Sequence, residues 1–494
     1  MSKKTKNKSV NVNNLDKNEK SKTTKDSSKF KIVFGVFAKI ISYLFVIKAL
    51  FTIYCIYLVY VSLTNVPDLP KVDVNVRWGV DNNTHDTRIR PYRVIFSDAM
   101  ESEIRALFED YRLMERKIKS FKNTAWTYGV HSDAFAQFFS HWIFKYKFRE
   151  RVKFLNKYDH FLTNIQGLDI HFVRVKPKAD KNVKVVPLLL LHGWPGSVRE
   201  FYEAIPLLTT PRPDYDFVFE VIAPSLPGFV FSEAPTRPGL DTYEMAIIMR
   251  NLMRRLGYTQ YYIQGGDFGH MIGSHIATIF PSEVLGFHTN FPVNTSKLSL
   301  LTWLLGGLLW PSYFGNGIED RMYPLKDKME FYLEETGYSH LQSTKPDTIG
   351  IVLTDSPVAL GSYILDRFMI FTNHTNKFED EGGIDKYYDF DKLLDNIMLY
   401  WVSGSITTSL RIYKETFAGS RLNNLAQVPT SVPTWALRLK YELFQHPDYM
   451  LRWKYTNLLG STNLDYGGHF AAFERPKDFS DDVFKAVKAF RNFK

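Results

Sequence analysis

The stretch VVPLLLLHGWPGS, Val185 to Ser197, is an apolar run of strand length that stops at a Gly/Pro turn, without polar residues alternating along it. Such a run suits a strand buried on both faces, and strands of that kind belong to parallel sheets covered by helices. The pattern recurs in FVFEVIAPSLPGFVFS from Phe217, again a strand followed by a turn. Asp241 and Glu244 then form a capping box ahead of YEMAIIMRNLMRRLG, a helix expected to stop at Gly257. The strand YYIQ, the turn GGDFG and the helix HMIGSHIATIF follow from Tyr261 to Phe280. Strands and helices alternating at these lengths predict crossover connections and an α/β fold.

Over residues 291–420 the alternation gives way to helix after helix, and strand patterning resumes with SVPTWALRL and LDYGGHFAAFERP. A helical lid inserted into an α/β sheet covers the C-terminal ends of its strands, where ligands of such sheets bind. Ahead of the catalytic region expected over 181–494, residues 65–180 read as a separate helical, aromatic segment. Ser97 is a natural N-cap for one helix there, and a second opens at Ser132. HFLTNIQGLDIHFVRVKP alternates like a hairpin turning at Gly167.

The net charge of +10 lies mostly at one end, because residues 1–31 hold ten lysines against Asp16, Glu19 and Asp26. The remaining body is nearly balanced and offers no basic face for nucleic acid. Residues 1–39 are expected as a basic, disordered tail, since almost nothing apolar offsets their ordering entropy. Residues 40–64 carry one charge, Lys48, and are expected as a transmembrane helix contacting the lipid bilayer in a single pass. Lysine-rich flanking sequence favours a cytosolic tail. Cys55, the only cysteine, lies inside that segment, so neither an intramolecular disulfide nor a cysteine metal site can form. Asn82, Asn294 and Asn373 open glycosylation sequons.

Gly265-Gly266-Asp267-Phe268-Gly269 fits a nucleophile elbow, small-x-nucleophile-x-small, with aspartate where many hydrolases place serine. Gly and Asp are also ordinary turn formers, so the pattern alone is equally a structural turn. A strand before it, a helix after it and the HGWPGS turn upstream favour the elbow. In that arrangement the backbone N–H groups of Trp194 and Phe268 form an oxyanion hole. His469, the last histidine of the chain, is the candidate base, and Glu442 in KYELFQHPDYM the acid that orients it, with Asp448 and Asp465 as rivals.

HGWPGS, PSLPGFVFSEA, YYIQGGDFG, TGYSHLQSTKPDTIG, MLYW, YELFQHP and GGHFAAFERP together resemble the microsomal-type epoxide hydrolases, the membrane-anchored, peptidase-S33-like branch of the α/β-hydrolase superfamily. The resemblance runs from about residue 90 to the end of the chain. It implies that Asp267 opens an oxirane to a hydroxyalkyl ester, which His469 and Glu442 hydrolyse with water to a vicinal diol. It further implies Tyr338 and Tyr413 as lid proton donors to the epoxide oxygen and an endoplasmic reticulum membrane location. The aromatic, apolar lid stretches LLWPSYFG and MLYW favour a small hydrophobic epoxide as substrate, and no cofactor or metal is expected. One departure is Phe268, where that family usually has tryptophan. A haloalkane dehalogenase would share the aspartate, histidine and acid without needing the tyrosine pair, and a non-catalytic membrane-anchored binding protein would need none of them.

Overall fold

The computed structural model describes residues 15–80, 86–114, 119–417 and 421–493. They divide into two compact units, one ending at Asn65 and one starting at Val66.

The first unit is a single helix, Leu15–Thr64, whose part Ser28–Thr64 is long and apolar enough to cross a membrane by length and composition. It begins well before residue 40, inside the tail expected to be disordered. Lysine and glutamate are good helix formers, and extending an existing helix adds a hydrogen bond per residue without a new nucleus. The first fourteen residues of that tail lie outside the described residues.

The second unit is built on a nine-stranded sheet: β1 (Arg90–Tyr92), β2 (Asp159–Ile165), β3 (Leu168–Val175), β4 (Lys184–Leu191), β5 (Phe217–Pro224), β6 (Tyr261–Gly265), β7 (Val284–Thr289), β8 (Thr434–Arg438) and β9 (Leu458–Asn463). Their spatial order is β1-β2-β3-β5-β4-β6-β7-β8-β9. The edge β1-β2-β3-β5 pairs antiparallel, and every pair from β5 across to β9 is parallel. The two-residue turn of the β2-β3 hairpin places Gln166 at φ 52° and Gly167 at φ 87°, the doubly positive geometry that matches strand twist. β5 is buried along its whole length, and its one charged residue, Glu220, pairs with Arg174 at 2.8 Å.

This is an α/β-hydrolase fold with a helical lid. Between β7 and β8 the described residues form helices throughout, from Lys297–Leu309 to Arg421–Gln427. The segment between β1 and β2 packs its aromatic helices, Asp98–Leu113 and Ser132–Phe144, through Phe108, Phe139 and Trp142. Trp142 in turn fits over Gly361 of the lid, where an added Cβ would come within 2.7 Å of its ring. Ser97 caps the first of these helices by accepting from the Met100 N–H at 3.1 Å. Asp241 does the same for Thr242–Arg255 by accepting from the Glu244 N–H at 3.0 Å.

The sequons bear on the folded surface. Asn294 and Asn373 are only 2% and 7% exposed, with their side chains bonded to Met450 O and the Tyr387 hydroxyl, so neither is open to glycosylation once folded. Asn82 lies outside the described residues.

Candidate active site

Asp267 follows β6 after Gly266 and directly precedes the helix Phe268–Ile279. Its backbone stands at φ 51°, ψ −129°, a conformation costly for any residue with a Cβ and therefore retained only where the surroundings impose it. The glycines around it explain the imposition. A Cβ at Gly265 would lie 2.3 Å from Gly269 O, and one at Gly269 would lie 2.1 Å from Leu191 O at the end of β4. The turn is thus closed backbone to backbone, and the aspartate side chain is what remains to project from it.

One carboxylate oxygen, Oδ1, accepts the Trp194 N–H at 2.9 Å. The other, Oδ2, stands 3.4 Å from His469 Nε2. His469 Nδ1 meets Glu442 Oε1 at 2.7 Å, and that same oxygen accepts the Leu443 N–H at 2.7 Å. Burial alone would lower the His469 pKa, but the Glu442 and Asp267 carboxylates on its two sides outweigh it and hold the imidazolium well above its ordinary value. The rivals of Glu442 lie elsewhere: Asp448 pairs with Arg438 at 2.7 Å, and Asp465 is 96% exposed beside Arg321.

Phe268 is the first residue of its helix, so its N–H has no intrahelical acceptor, and its ring stands edge-on to Tyr413 at 4.8 Å. Trp194 stacks on Tyr338 at 5.4 Å and meets Tyr413 edge-on at 5.6 Å, which joins the two lid tyrosines to the HGWPGS turn. Burial raises both phenol pKa values further, with the Asp267 charge adding to the effect, so both stay protonated at neutral pH. Asp267, Phe268, Tyr338 and Tyr413 share one cavity of about 440 Å³, walled mainly by Met271, Phe291, Leu300, Trp303, Met329 and Phe444. That size and apolarity suit a small hydrophobic ligand.

Three residues near the site were not singled out in the sequence. Glu474 accepts the Gly468 and Phe470 N–H groups at 2.9 and 3.0 Å, bracketing His469 and fixing its loop. Asn290, at the end of β7, donates to His469 O at 3.3 Å, accepts from Gln264 at 2.7 Å and occupies the space beside Gly266. Glu200 lines a small void with Asp267 and His469, and burial pushes its carboxyl up to about 8. Glu474 lies within GGHFAAFERP and Glu200 just beyond HGWPGS, so adjacency to the motifs was the available signal. Among the described residues, His141, Asp389 and Asp391 have ligand-type atoms within 4.8 Å of one another. His141 pairs with Asp391 at 2.8 Å and Arg151 approaches that carboxylate, so the cluster is accounted for as an ion-pair network.

Residues 89–201 match the family "Epoxide hydrolase N terminus", and residues 186–344 match "alpha/beta hydrolase fold". The chain is 45% identical to the juvenile hormone epoxide hydrolase of Bombyx mori, over 87% of this chain and 94% of that one. The chain belongs to the epoxide hydrolases. Juvenile hormone epoxide hydrolase 2 of Ctenocephalides felis is 42% identical over 85% of this chain and 90% of its own. The crystal structure of the Bombyx mori enzyme superposes with a TM-score of 0.82 at 46% identity, covering 85% of this chain and 99% of that one.

As an epoxide hydrolase, the protein converts hydrophobic epoxides and water to vicinal diols through a covalent hydroxyalkyl-aspartyl ester. These matches also correct a narrower expectation. The relatives and the superposed structure are juvenile hormone epoxide hydrolases, which overturns placement in the membrane-anchored microsomal branch. The endoplasmic reticulum location was drawn from that branch and falls with it. The motifs that suggested the branch lie at the elbow, around Glu442 and His469 and in the lid, all outside the N-terminal helix, so they carried no information about an anchor.

Proposed function

We propose that Asp267 is the nucleophile, His469 the general base, Glu442 its orienting acid, and Tyr338 with Tyr413 the proton donors, acting on an epoxide of the juvenile hormone type. In the first step an Asp267 oxygen bonds to an oxirane carbon while the carbon–oxygen bond of the ring breaks. A phenol proton goes to the departing oxygen, which leaves a hydroxyalkyl ester and a phenolate. In the second step His469 takes a proton from water, and the resulting hydroxide adds to the ester carbonyl carbon. The Trp194 and Phe268 N–H groups hold the oxyanion, the ester C–O bond breaks, and the diol leaves as Asp267 regains its carboxylate. The proton on His469 finally restores the phenol.

The observation that carries this reading is the division of labour at one carboxylate: Oδ1 accepts the Trp194 N–H at 2.9 Å while Oδ2 faces His469 Nε2 at 3.4 Å. A base held there can activate water against the same carbon that the N–H polarises. The substrate class rests on the names of the relatives. The helix Ser28–Thr64, apolar and exposed along its length, supports attachment to a lipid bilayer.

The test is His469→Gln incubated with juvenile hormone, followed by mass analysis of the peptide containing Asp267. The expected result is a stable adduct on Asp267 equal in mass to the intact substrate, lost in the additional variant Asp267→Asn. An adduct on another residue would overturn the assignment. Ready turnover of stilbene oxide by the unaltered enzyme with none of juvenile hormone would overturn the substrate class alone.

A further inference from the structure

The segment Tyr441–Pro447 delivers Glu442 to His469, yet its next polar residues, Gln445 and His446, take no part in the triad. Both line the substrate cavity, together with Arg321 from the lid helix Glu319–Met322. The bonding of these three side chains leaves donors without acceptors. Gln445 is anchored by its Nε2, which donates to Leu439 O at 2.7 Å, and its Oε1 accepts from Arg321 Nη1 at 3.4 Å. The Arg321 side chain is only 7% exposed. Its Nη2 donates to Leu464 O at 3.0 Å and to the Asp465 carboxylate at 3.3 Å. A guanidinium has five N–H donors. Its Nε–H and second Nη1–H therefore have no partner among the described residues.

His446 adds a third donor. Its Nδ1 accepts the Asn294 N–H at 2.9 Å, so that nitrogen carries a lone pair and the ring proton sits on Nε2. Burial, with the nearby Arg438 charge, holds its pKa down to about 4, so the ring stays neutral and keeps this tautomer. Its Nε2–H has no partner among the described residues. The acceptors at this wall are already engaged: Gln445 Oε1 by Arg321, and His446 Nδ1 by the backbone.

At this end of the cavity Arg321 and His446 offer only donors, beside apolar walls such as Leu300, Trp303, Met329 and Phe444, which is mismatched to a hydrocarbon. A purely apolar ligand would strip water from these N–H groups and return nothing, whereas an oxygen acceptor would satisfy them. A guanidinium fork also favours a carbonyl-type oxygen over a hydroxyl, which must find an acceptor of its own. We infer that Arg321 and His446 form a specificity pole that binds the carbonyl oxygen of an ester or carboxylate carried by the epoxide away from its oxirane ring. This rests on the reading of Asp267 as the attacking group in the same cavity, and it adds a second recognition point to it.

The experiment compares three epoxides of equal chain length, ending in a methyl ester, a free carboxylate or a hydrocarbon, on the full-length enzyme and on Arg321→Met and Arg321→Lys. The enzyme is expected to favour the oxygen-bearing substrates. Arg321→Met should lower the kcat/KM ratio of ester to hydrocarbon by about 10- to 100-fold, mainly through KM. Arg321→Lys should recover the carboxylate more than the ester, since a point charge keeps attraction but loses the fork. Equal losses on all three substrates would assign Arg321 to lid packing and overturn the proposal. So would an unaltered enzyme without preference for the oxygen-bearing pair, a result that stands even if Arg321→Met fails to fold. Absence of turnover with all three epoxides would instead strike the reading of the Asp267 site, which separates the two failures.

Discussion

In the proposed mechanism, His469 is the residue at which the two half-reactions make opposite demands. It is buried between two carboxylates, and although burial favours the neutral ring, Glu442 and Asp267 together hold the imidazolium well above its ordinary pKa. In that state it cannot accept a proton from water. Alkylation changes this, because an esterified Asp267 is no longer an anion, and the histidine loses one of the two charges that kept it protonated. The base is thereby released after the step that forms its substrate. Ester formation requires only ionised Asp267 and protonated phenols, and burial keeps the Tyr338 and Tyr413 phenols protonated past their ordinary value. In single-turnover experiments the rate of ester formation should be flat over about pH 6 to 9, while ester hydrolysis rises with pH as the released imidazole loses its proton. Quenched-flow mass analysis should find more ester at the acidic end. An ester fraction that falls on acidification would remove His469 from the role of base.

The elbow belongs to the scale of elements, since it is the junction of β4, β6 and the helix Phe268–Ile279. Gly269 closes that junction: an added Cβ would stand 2.1 Å from Leu191 O and 2.9 Å from His192 O, and backbone cannot step aside as a flexible side chain could. Gly269→Ala should therefore cost about 1–3 kcal/mol or more in denaturant unfolding and displace Asp267 from the Trp194 N–H, with loss of activity beyond the loss of stability. Gly257→Ala is the comparison, because no atom lies within 4 Å of a Cβ there and the cost comes from its φ of 89° alone. If both variants unfold alike and Gly269→Ala stays active, steric closure is not what holds the aspartate.

Much of this element was legible in the chain, for a physical reason: elbows need small residues at fixed offsets, and GGDFG displays them in sequence. His469 was picked out by its order after the elbow, and Glu442 by position together with the family resemblance; the structure places His469 between Asp267 and Glu442. Glu474 was not picked out, because it bonds to Gly468 and Phe470 in a local turn that carries no period of its own. Nor was Asn290, whose partners Gln264 and His469 are set by packing between distant strands and loops, which leaves no periodic trace. The same holds for Arg321, whose place in the cavity wall depends on how a four-residue lid helix meets the loop at Leu464. The helix start at Leu15 was missed because composition argued for disorder while propensity allowed the apolar helix to extend.

At the scale of the whole second unit, three stretches of chain meet at Asp395, whose side chain is fully buried on the lid helix Phe390–Ser403. From the segment between β1 and β2 come the Tyr146 hydroxyl at 3.1 Å and Arg151 Nε at 2.8 Å. From the stretch after HGWPGS comes Arg199 Nε, also at 2.8 Å. The same lid helix holds the turn itself, since Asn396 Nδ2 donates to Pro195 O at 2.8 Å and the Tyr400 hydroxyl to Gly196 O at 2.7 Å. The turn that carries the Trp194 N–H is therefore bonded directly to the lid helix. A buried charge serving two guanidinium groups is strongly destabilising to break, because Arg199 then keeps only Glu203, at 2.8 Å, and Arg151 only Asp391, at 3.8 Å. Asp395→Asn preserves shape and removes the charge, and it should cost about 3–5 kcal/mol in unfolding free energy. Activity should also fall at temperatures where the variant remains folded. The exposed pair Arg411–Asp347 at 2.7 Å is the control, since Asp347→Asn should cost less than about 1 kcal/mol. Denaturant melts of both variants, read beside turnover of one epoxide, separate the two cases. Equal melts would mean that Asp395 is dispensable and that the three stretches are joined by apolar packing alone. A destabilised Asp395→Asn with undiminished turnover would mean that the lid helix holds the HGWPGS turn through Asn396 and Tyr400 without the ionic hub.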